Sequence, residues 1–373
     1  MQQLPLGFHE NVIFTLRTLY SRYGYCQYKM SKFEEYDLYA RNKDFLISDS
    51  VITFTDLSGK LMALKPDVTL SIVKNSKDLP ETTQKLYYNE NVYRITKGSH
   101  SFKEIPQVGL ECLGNIDDYC ILEILTLAAE SLRTISENCV LDISHQGLLS
   151  GLLESIGLPV SCRDTALKYI GQKNLHELTA LCQTCNVDPA HIGVMQQAIT
   201  VSGAPETVLP GLIALLSDIT DTQPLEQLLN VVSAMDDPGL KSKLRFDFSV
   251  VDDIHYYNGI LFKGFIDGIP SSVLSGGQYD KLMQKMHRKS GAIGFAVYMD
   301  LLGQLDRTVN TYDVDTVLLY EAGTELSAIR SQVNALTESG CSVMVQQTLP
   351  ENLRYRQLLI LRGNEVETLE YNA

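Results

Sequence analysis

Short β-type runs separated by turn residues occupy the first third of this 373-residue chain and constrain its fold most strongly. Turn-forming pairs such as Ser58-Gly59 and Lys97-Gly98 lie between them. Because the runs do not alternate with helices, they predict an antiparallel sheet rather than βαβ units. An amphipathic helix over residues 10–23, ended by Gly24, precedes them. The runs are residues 51–55, 61–64, 85–93 and 107–113.

Between about residues 147 and 243 the pattern changes to helical spacing, which predicts a helical insertion. Prolines are expected to divide this region into short helices. They are Pro205, Pro210, Pro224 and Pro238. Further β-type runs follow the insertion, and a strand–helix–strand–strand pattern follows residue 313. We therefore predict an α+β fold, with an antiparallel sheet flanked by helices, a helical insertion and a small C-terminal α/β unit.

Charge and cysteine content indicate which kinds of partner and site the chain lacks. The formal net charge is −14. Because nucleic-acid binding depends on Lys and Arg that neutralise phosphates, this acidic balance counts against a nucleic-acid partner. No apolar run reaches the roughly 20 residues of a membrane span, and the N-terminus does not resemble a signal peptide. Cys182 and Cys185 lack the second ligand pair of a zinc site, and the eight cysteines show no disulfide spacing. We expect a cytoplasmic protein with no metal, cofactor, nucleic-acid partner or membrane contact.

Four polar residues suit a ligand that carries an ammonium group. Asp67 and Thr69 supply a carboxylate and a hydroxyl, the acceptors that an ammonium leaving water requires. Taken alone, that pair is more often a capped turn. Gln107 and Glu111 alternate along a predicted strand, so both side chains point to one face and could share a pocket.

Four further residues, two tyrosines, an arginine and a histidine, each have two possible interpretations. Tyr257 and Tyr279 offer ring walls and hydroxyls to an aromatic ligand, or they are core residues among the 19 tyrosines. Arg94 either binds an anion or pairs with a nearby carboxylate. His255 is either a structural histidine or a group that titrates near neutral pH.

Segments between residues 30 and 302 resemble, in order, the conserved blocks of the class II histidyl-tRNA synthetases. Residues 30–34 (MSKFE) stand where the family has T-P-x-F-E, and residues 250–259 (VVDDIHYYNG) are similar to V-R-G-L-D-Y-Y-T-G. Residues 64–69 (LKPDVT) are similar to the family's L-R-P-[ED]-x-T. Residues 107–111 (QVGLE) are similar to Q-x-G-x-E, and residues 275–280 (SGGQYD) contain a segment close to G-G-R-Y-D. Residues 292–301 (AIGFAVYMDL) are similar to A-x-G-F-A-x-G-L-E-R.

This resemblance implies domain boundaries and a ligand site. A class II aminoacyl-tRNA synthetase-like core would span residues 1–310, with the insertion at about 147–243. Residues 313–373 would form an abbreviated anticodon-binding-like α/β domain. The family's histidine pocket corresponds to six residues of this chain, with Arg94 as a candidate anion contact. The six are Asp67, Thr69, Gln107, Glu111, Tyr257 and Tyr279.

The residues that the family uses on ATP are replaced in this chain. Asp252 stands at the arginine of the V-R-G-L-D-Y-Y loop, and Leu301 at the arginine that ends A-x-G-F-A-x-G-L-E-R. Gln278 replaces a further arginine, Thr96 the glutamate of F-R-x-E, and Tyr298 a glycine on the adenine side. Loss of one such electrostatic donor costs about 3 kcal/mol in a transition state. Adenylation is therefore not expected, and the chain should not be an enzyme.

A retained amino-acid pocket beside a degraded ATP site resembles the regulatory subunits of ATP phosphoribosyltransferase. That resemblance implies a non-catalytic subunit required by the short-form catalytic subunit at the first step of histidine biosynthesis. The implied partners are this catalytic subunit and L-histidine as a feedback effector, in a hetero-oligomer that contains a homodimer of the chain. Two alternatives are a synthetase-like regulator that senses tRNA and an active histidyl-tRNA synthetase.

Overall fold

The computed structural model divides the chain into two units, Met1–Leu305 and Asp306–Ala373. The residues that it describes are 7–43, 46, 51–95, 101–251, 256–305 and 312–372. Among the described helices, none has both the length and the apolar character needed to cross a membrane.

The first unit alternates between sheet-forming and helical stretches. Its first half consists of α1 (Phe8–Arg22), β1 (Cys26–Gln27), β2 (Phe33–Glu35), α2 (Tyr36–Arg41), β3 (Thr53–Thr55), β4 (Leu61–Leu64), α3 (Val68–Asn75), β5 (Thr83–Ile95), β6 (Phe102–Gly114), α4 (Asp118–Ile135) and β7 (Cys139–His145). Its second half consists of α5 (Gln146–Ser155), α6 (Val160–Gly171), α7 (Leu175–Thr184), α8 (Pro189–Thr200), β8 (Ser202–Gly203), α9 (Pro205–Leu216), α10 (Gln223–Ser233), α11 (Pro238–Lys241), β9 (Leu244–Asp247), β10 (Ile260–Ile266), β11 (Leu274–Gln278), α12 (Asp280–Lys285), β12 (Gly291–Tyr298) and a 3₁₀ helix (Met299–Leu305).

A nine-stranded sheet organises this unit, in the order β1-β5-β6-β12-β11-β10-β7-β9-β8. Its central pairs are antiparallel, as predicted, whereas β1 pairs with β5 and β7 with β9 in parallel. The long β5–β6 hairpin and its neighbour β12 form the middle of the sheet. A separate three-stranded sheet has the order β2-β4-β3.

Helices α1 and α4 cover one face of the large sheet with apolar side chains. The buried residues Leu110, Phe262 and Phe295 of the sheet belong to the same core cluster as Leu16 of α1 and Leu132 of α4. Burial of each such side chain stabilises the fold by about 1.5–3 kcal/mol. The opposite face is therefore left to carry polar groups.

The ends of these two helices follow from local sequence. Asp117 caps α4 by accepting a hydrogen bond from the Cys120 amide at 2.9 Å. Gly24 follows the end of α1 with φ of 82°, a backbone conformation that glycine adopts without strain. The predicted end of the first helix at this glycine is confirmed.

In the region of helices α5 to α11, prolines mostly stand where helices begin. Pro205, Pro224 and Pro238 each occupy the first turn of a helix. The expectation for Pro210 is wrong, because it lies inside α9. Although Pro210 lacks an amide proton, α9 continues past it, and burial of leucines on both sides, including Leu209 and Leu212, stabilises the helix.

The second unit is a four-stranded sheet with one helix. It contains β13 (Val314–Tyr320), α13 (Leu326–Glu338), β14 (Val343–Gln346), β15 (Tyr355–Arg362) and β16 (Glu365–Tyr371), with the strand order β14-β13-β15-β16. Ile329 of α13 packs with Leu318, Leu359 and Leu361 on one face of the sheet. The sequence did not predict β16, because all seven of its residues are exposed and its glutamates hide any burial pattern.

On the polar face of the large sheet, glycines allow large side chains to lie flat. A Cβ atom at Gly294 would lie 1.8 Å from Oε2 of Glu111, and one at Gly109 would lie 2.5 Å from the Tyr88 hydroxyl. At Gly277 it would lie 2.6 Å from the Tyr257 ring. These contacts are shorter than any side chain tolerates, so the glycines create space on this face.

We predict opposite effects for two glycine-to-alanine substitutions. Gly294→Ala should lower the free energy of unfolding by about 1–3 kcal/mol, because the methyl group would also meet the Leu110 carbonyl oxygen at 2.5 Å. Gly193→Ala in α8 has nothing within 4 Å and should raise it by up to about 1 kcal/mol. Urea denaturation of both variants measures the difference. Equal effects would contradict the packing described here.

Candidate ligand-binding site

The polar face of the sheet carries a cavity of about 400 Å³. All seven residues singled out from the sequence line it, although they come from five separate segments of the chain. They are Asp67, Thr69, Arg94, Gln107, Glu111, Tyr257 and Tyr279.

Asp67 lies at the start of α3 and is fixed by the helix that it caps. Its carboxylate accepts a hydrogen bond from the Leu70 amide at 2.9 Å. The residue is only 7% exposed. Burial raises the pKa of the Asp67 carboxyl, while the Leu70 amide and the charge of Arg94 act in the opposite direction. Asp67 is therefore both the N-cap of α3 and a lining residue of the cavity.

Glu111 lies deeper in the cavity, in the middle of β6. The hydroxyl of Thr69 donates to its carboxylate at 2.8 Å, and the hydroxyl of Tyr279 donates to the other oxygen. Burial raises the pKa of Glu111 to about 8, and the nearby Asp67 charge adds to the shift. Burial therefore favours the protonated form of Glu111 near neutral pH, and a cation in the cavity would favour the carboxylate.

Tyrosine rings form a wall beside these carboxyl groups. The ring centroids of Tyr256 and Tyr257 are 4.6 Å apart, and those of Tyr256 and Tyr279 are 5.9 Å apart. Burial raises the pKa of Tyr88, Tyr256 and Tyr279 well above its usual value. Their hydroxyls thus stay neutral and can donate hydrogen bonds to a ligand or to a carboxylate.

Two basic side chains also line the cavity. Nε of Arg94 donates to the carbonyl oxygen of Pro66 at 3.1 Å, which places the guanidinium beside Asp67. Nζ of Lys263, on β10, donates to the carbonyl oxygen of Val251 at 3.0 Å. The cavity therefore combines carboxyl groups, aromatic rings and cations, the set of groups that an aromatic amino acid requires.

Several lining residues were not singled out from the sequence. They are Tyr88, Tyr256, Lys263, Ser272 and Ser275. Lys263 did leave a signal, because it is the single charged residue in the apolar strand ILFKGFI. Tyr88 left none, since it reaches the cavity only through its register opposite Gly109 on β6.

The positions where the family binds ATP have other roles here. Nε2 of Gln278 donates to Asp280 at 2.7 Å, and Leu301 packs against the large apolar core. The Tyr298 ring lines the cavity. Thr96, Asp252 and His255 lie outside the described residues. In the part of the chain that the structure describes, no group of three or more His, Cys, Asp or Glu could hold a metal ion.

An ion pair joins the start of β6 to the 3₁₀ helix that follows β12. Nζ of Lys103 contacts Oδ2 of Asp300 at 2.6 Å. Asp300 follows the strand that carries Tyr298, and Lys103 lies near the start of β6. In the segments that correspond to the family's ATP-binding blocks, the charge of Lys103 is therefore paired with a carboxylate of the protein itself.

Comparisons with known proteins agree with the fold. The histidyl-tRNA synthetase family model matches residues 8–302. The ATP phosphoribosyltransferase regulatory subunit of Oceanobacillus iheyensis is 27% identical over 295 residues, which cover 78% of this chain and 72% of that protein.

Two solved structures are similar at lower identity. A protein described as an ATP phosphoribosyltransferase regulatory subunit/histidyl-tRNA synthetase, from Bacillus halodurans, has a TM-score of 0.79 at 20% identity and covers 96% of this chain and 98% of its own. A chain of the ATP phosphoribosyl transferase (HisG:HisZ) complex from Thermotoga maritima has a TM-score of 0.61 at 20% identity, covering 80% of this chain and 98% of its own. These structures confirm the predicted α+β, class II synthetase-like fold.

The family model covers most of the chain, and the cavity is built from the segments that resemble the family's conserved blocks. The chain therefore belongs to the histidyl-tRNA synthetase family.

Proposed function

We propose that this chain is a regulatory subunit of ATP phosphoribosyltransferase, without catalytic activity of its own, and that L-histidine is its effector. It acts with the short-form catalytic subunit at the first step of histidine biosynthesis, in the cytoplasm. The observation that carries the proposal is the contrast within one site. The amino-acid end of the cavity keeps two buried carboxyl groups and a tyrosine wall, whereas the ATP-binding positions carry Gln278, Leu301 and Tyr298.

The chemistry of the cavity suits histidine as a ligand. Asp67 and Glu111 can each face a cationic group, and Thr69 and Gln107 add a hydroxyl and an amide. The rings of Tyr256 and Tyr257 offer an apolar surface of the size of an imidazole. The histidine-binding residues that we propose are therefore the six that line the cavity from the conserved segments.

The ATP side offers little support for adenylation. A class II transition state needs cations at the phosphates, and Leu301 and Gln278 are uncharged. Leu301 is packed in the core, and Gln278 bonds Asp280 rather than the cavity. The Lys103 charge is paired with Asp300. We therefore propose that histidine binding in this chain serves regulation rather than activation of the amino acid.

The names of related proteins support the assembly that we propose. Curated relatives at up to 27% identity are named ATP phosphoribosyltransferase regulatory subunits, and the Thermotoga maritima structure is described as a complex with HisG. On the small sheet, Phe33 and Phe54 are half exposed and in contact, with ring centroids 5.4 Å apart. We propose a homodimer of the chain within a hetero-oligomer with the catalytic subunit.

The test is the formation of phosphoribosyl-ATP by the short-form catalytic subunit alone, with this chain, and with this chain plus histidine. We expect activity to depend on the chain and to fall when histidine is added. Glu111→Gln should raise the histidine concentration for half inhibition at least about tenfold, since a hydrogen bond to a charged group is lost. Glu104→Gln, an exposed change on the same strand, is the control and should behave like the wild type.

No effect of the chain on the catalytic subunit would contradict the proposal. In that case binding of uncharged tRNA would be the next property to measure. Inhibition that is unchanged in Glu111→Gln would leave a regulatory role but remove histidine from this cavity.

A second prediction concerns the pH dependence of histidine binding. Because burial raises the pKa of Glu111 to about 8, a cationic ligand that pairs with its carboxylate must displace its proton below that pH. Affinity should therefore rise between pH 6 and pH 8, and the rise should be smaller in Glu111→Gln. Calorimetric titration of both proteins measures it, and ionisation of histidine itself is common to the two. Identical pH profiles would show that Glu111 does not ionise on binding.

A further inference from the structure

We propose that Cys162 and Cys185 form a site of reversible oxidation, at which a small-molecule disulfide such as glutathione disulfide converts the two thiols to one intramolecular disulfide. This inference is independent of the proposed function, because neither cysteine lines the ligand cavity. The sequence alone does not pair these cysteines, since 23 positions separate them.

The two sulfur atoms are in contact where α6 begins and α7 ends. Cys162 lies in the first turn of α6, and Cys185 directly follows the last residue of α7. Their Sγ atoms are 3.3 Å apart, and both are free thiols. Because the sulfurs of a disulfide lie about 2.05 Å apart, small rotations of the two side chains are enough to close the gap. The fold therefore brings the two reacting atoms together before any oxidant arrives.

A small oxidant in water can reach this pair. Cys162 and Cys185 are both partly exposed. Their neighbours along the chain, Ser161, Thr184 and Asn186, are exposed. Susceptibility of a thiol to oxidation depends on exposure as well as on its ionisation. The pair thus differs from a structural thiol that is sealed in a core.

The third thiol of this region, Cys182, is protected. It lies one turn before Cys185 on α7 and is fully buried. Burial raises the pKa of Cys182 to about 11, and the neighbouring thiols Cys185 and Cys162 add to the shift. Since the thiolate is the reactive form, Cys182 should not compete at neutral pH. Oxidation should therefore link Cys162 to Cys185 alone.

The hydrogen bond between the two thiols indicates which one attacks first. The thiol of Cys185 donates to the sulfur of Cys162, and this bond raises the pKa of Cys185, with a further contribution from burial. Cys162, after losing its proton to water, attacks one sulfur of the small disulfide and releases one thiolate. Cys185 then loses its proton, attacks the Cys162 sulfur and displaces the second thiolate. Overall, the protein loses two electrons and two protons, and the small disulfide becomes two thiols.

The new bond would tie the start of α6 to the end of α7. A cross-link between residues 23 positions apart restricts the unfolded chain and so stabilises the folded one. Thiols of low molecular weight would reverse the reaction by the same exchange steps. Such a reversible bond suits a reducing compartment, where disulfides are transient rather than structural.

The test treats the full chain with glutathione disulfide, blocks the remaining thiols with N-ethylmaleimide and identifies linked peptides by mass spectrometry. We expect a Cys162–Cys185 link that dithiothreitol removes. It should form at least about tenfold faster in the folded chain than in urea, because the fold holds the sulfurs in contact. The oxidised chain should also melt at a higher temperature than the reduced chain.

Single substitutions test the order of the two steps. Cys185→Ser should accumulate a stable glutathione adduct on Cys162, whereas Cys162→Ser should form its adduct on Cys185 more slowly. Cys341→Ser removes a partly exposed cysteine of the second unit and is the control, which should link like the wild type. Three results would overturn the proposal. They are a link that contains Cys182, equal rates of linking in the folded chain and in urea, and adducts on both cysteines without a link.

Discussion

The buried carboxyl group of Glu111 is the constraint on which the rest of the site depends. It lies over Gly294, and it receives hydrogen bonds from Thr69 of α3 and from Tyr279 at the end of β11. One side chain thereby connects the central strand, the capped helix and the aromatic wall. Burial raises the pKa of Glu111 to about 8, so the charged carboxylate is disfavoured unless a cation lies beside it.

Much of this site could be predicted from the sequence, because its residues lie in short motifs with fixed spacing. Alternation placed Gln107 and Glu111 on one face, and the structure has both in the cavity. The register of the β5–β6 hairpin could not be predicted from the sequence, which is why Tyr88, opposite Gly109, was missed. Helix α3 was missed for a different reason, since Val68 to Val73 are all buried and show no amphipathic pattern. Pro210 shows the converse. Its local signal predicts a helix break, but burial of the neighbouring leucines keeps α9 continuous.

The division of charge within the cavity supports our proposal that this chain binds an amino acid without activating it. Recognition of an amino acid needs a few groups fixed by strands and a helix cap, and these groups support one another through short hydrogen bonds. Transfer of a nucleotidyl group needs cations aimed at phosphates, and substitutions such as Leu301 turn those positions into apolar core. In the proposed complex with the catalytic subunit, the binding energy of histidine can then shift the complex between a more active and a less active state, instead of driving a reaction.

The most direct test of this account is a calorimetric titration of the isolated chain with L-histidine, in the absence and presence of ATP and Mg²⁺. The account predicts that histidine binds and that ATP neither binds nor changes its affinity, because Tyr298 lines the cavity and uncharged Gln278 and Leu301 stand where the family has arginines. Tighter histidine binding in the presence of ATP, or release of pyrophosphate, would show that the nucleotide site still works. It would contradict the central claim.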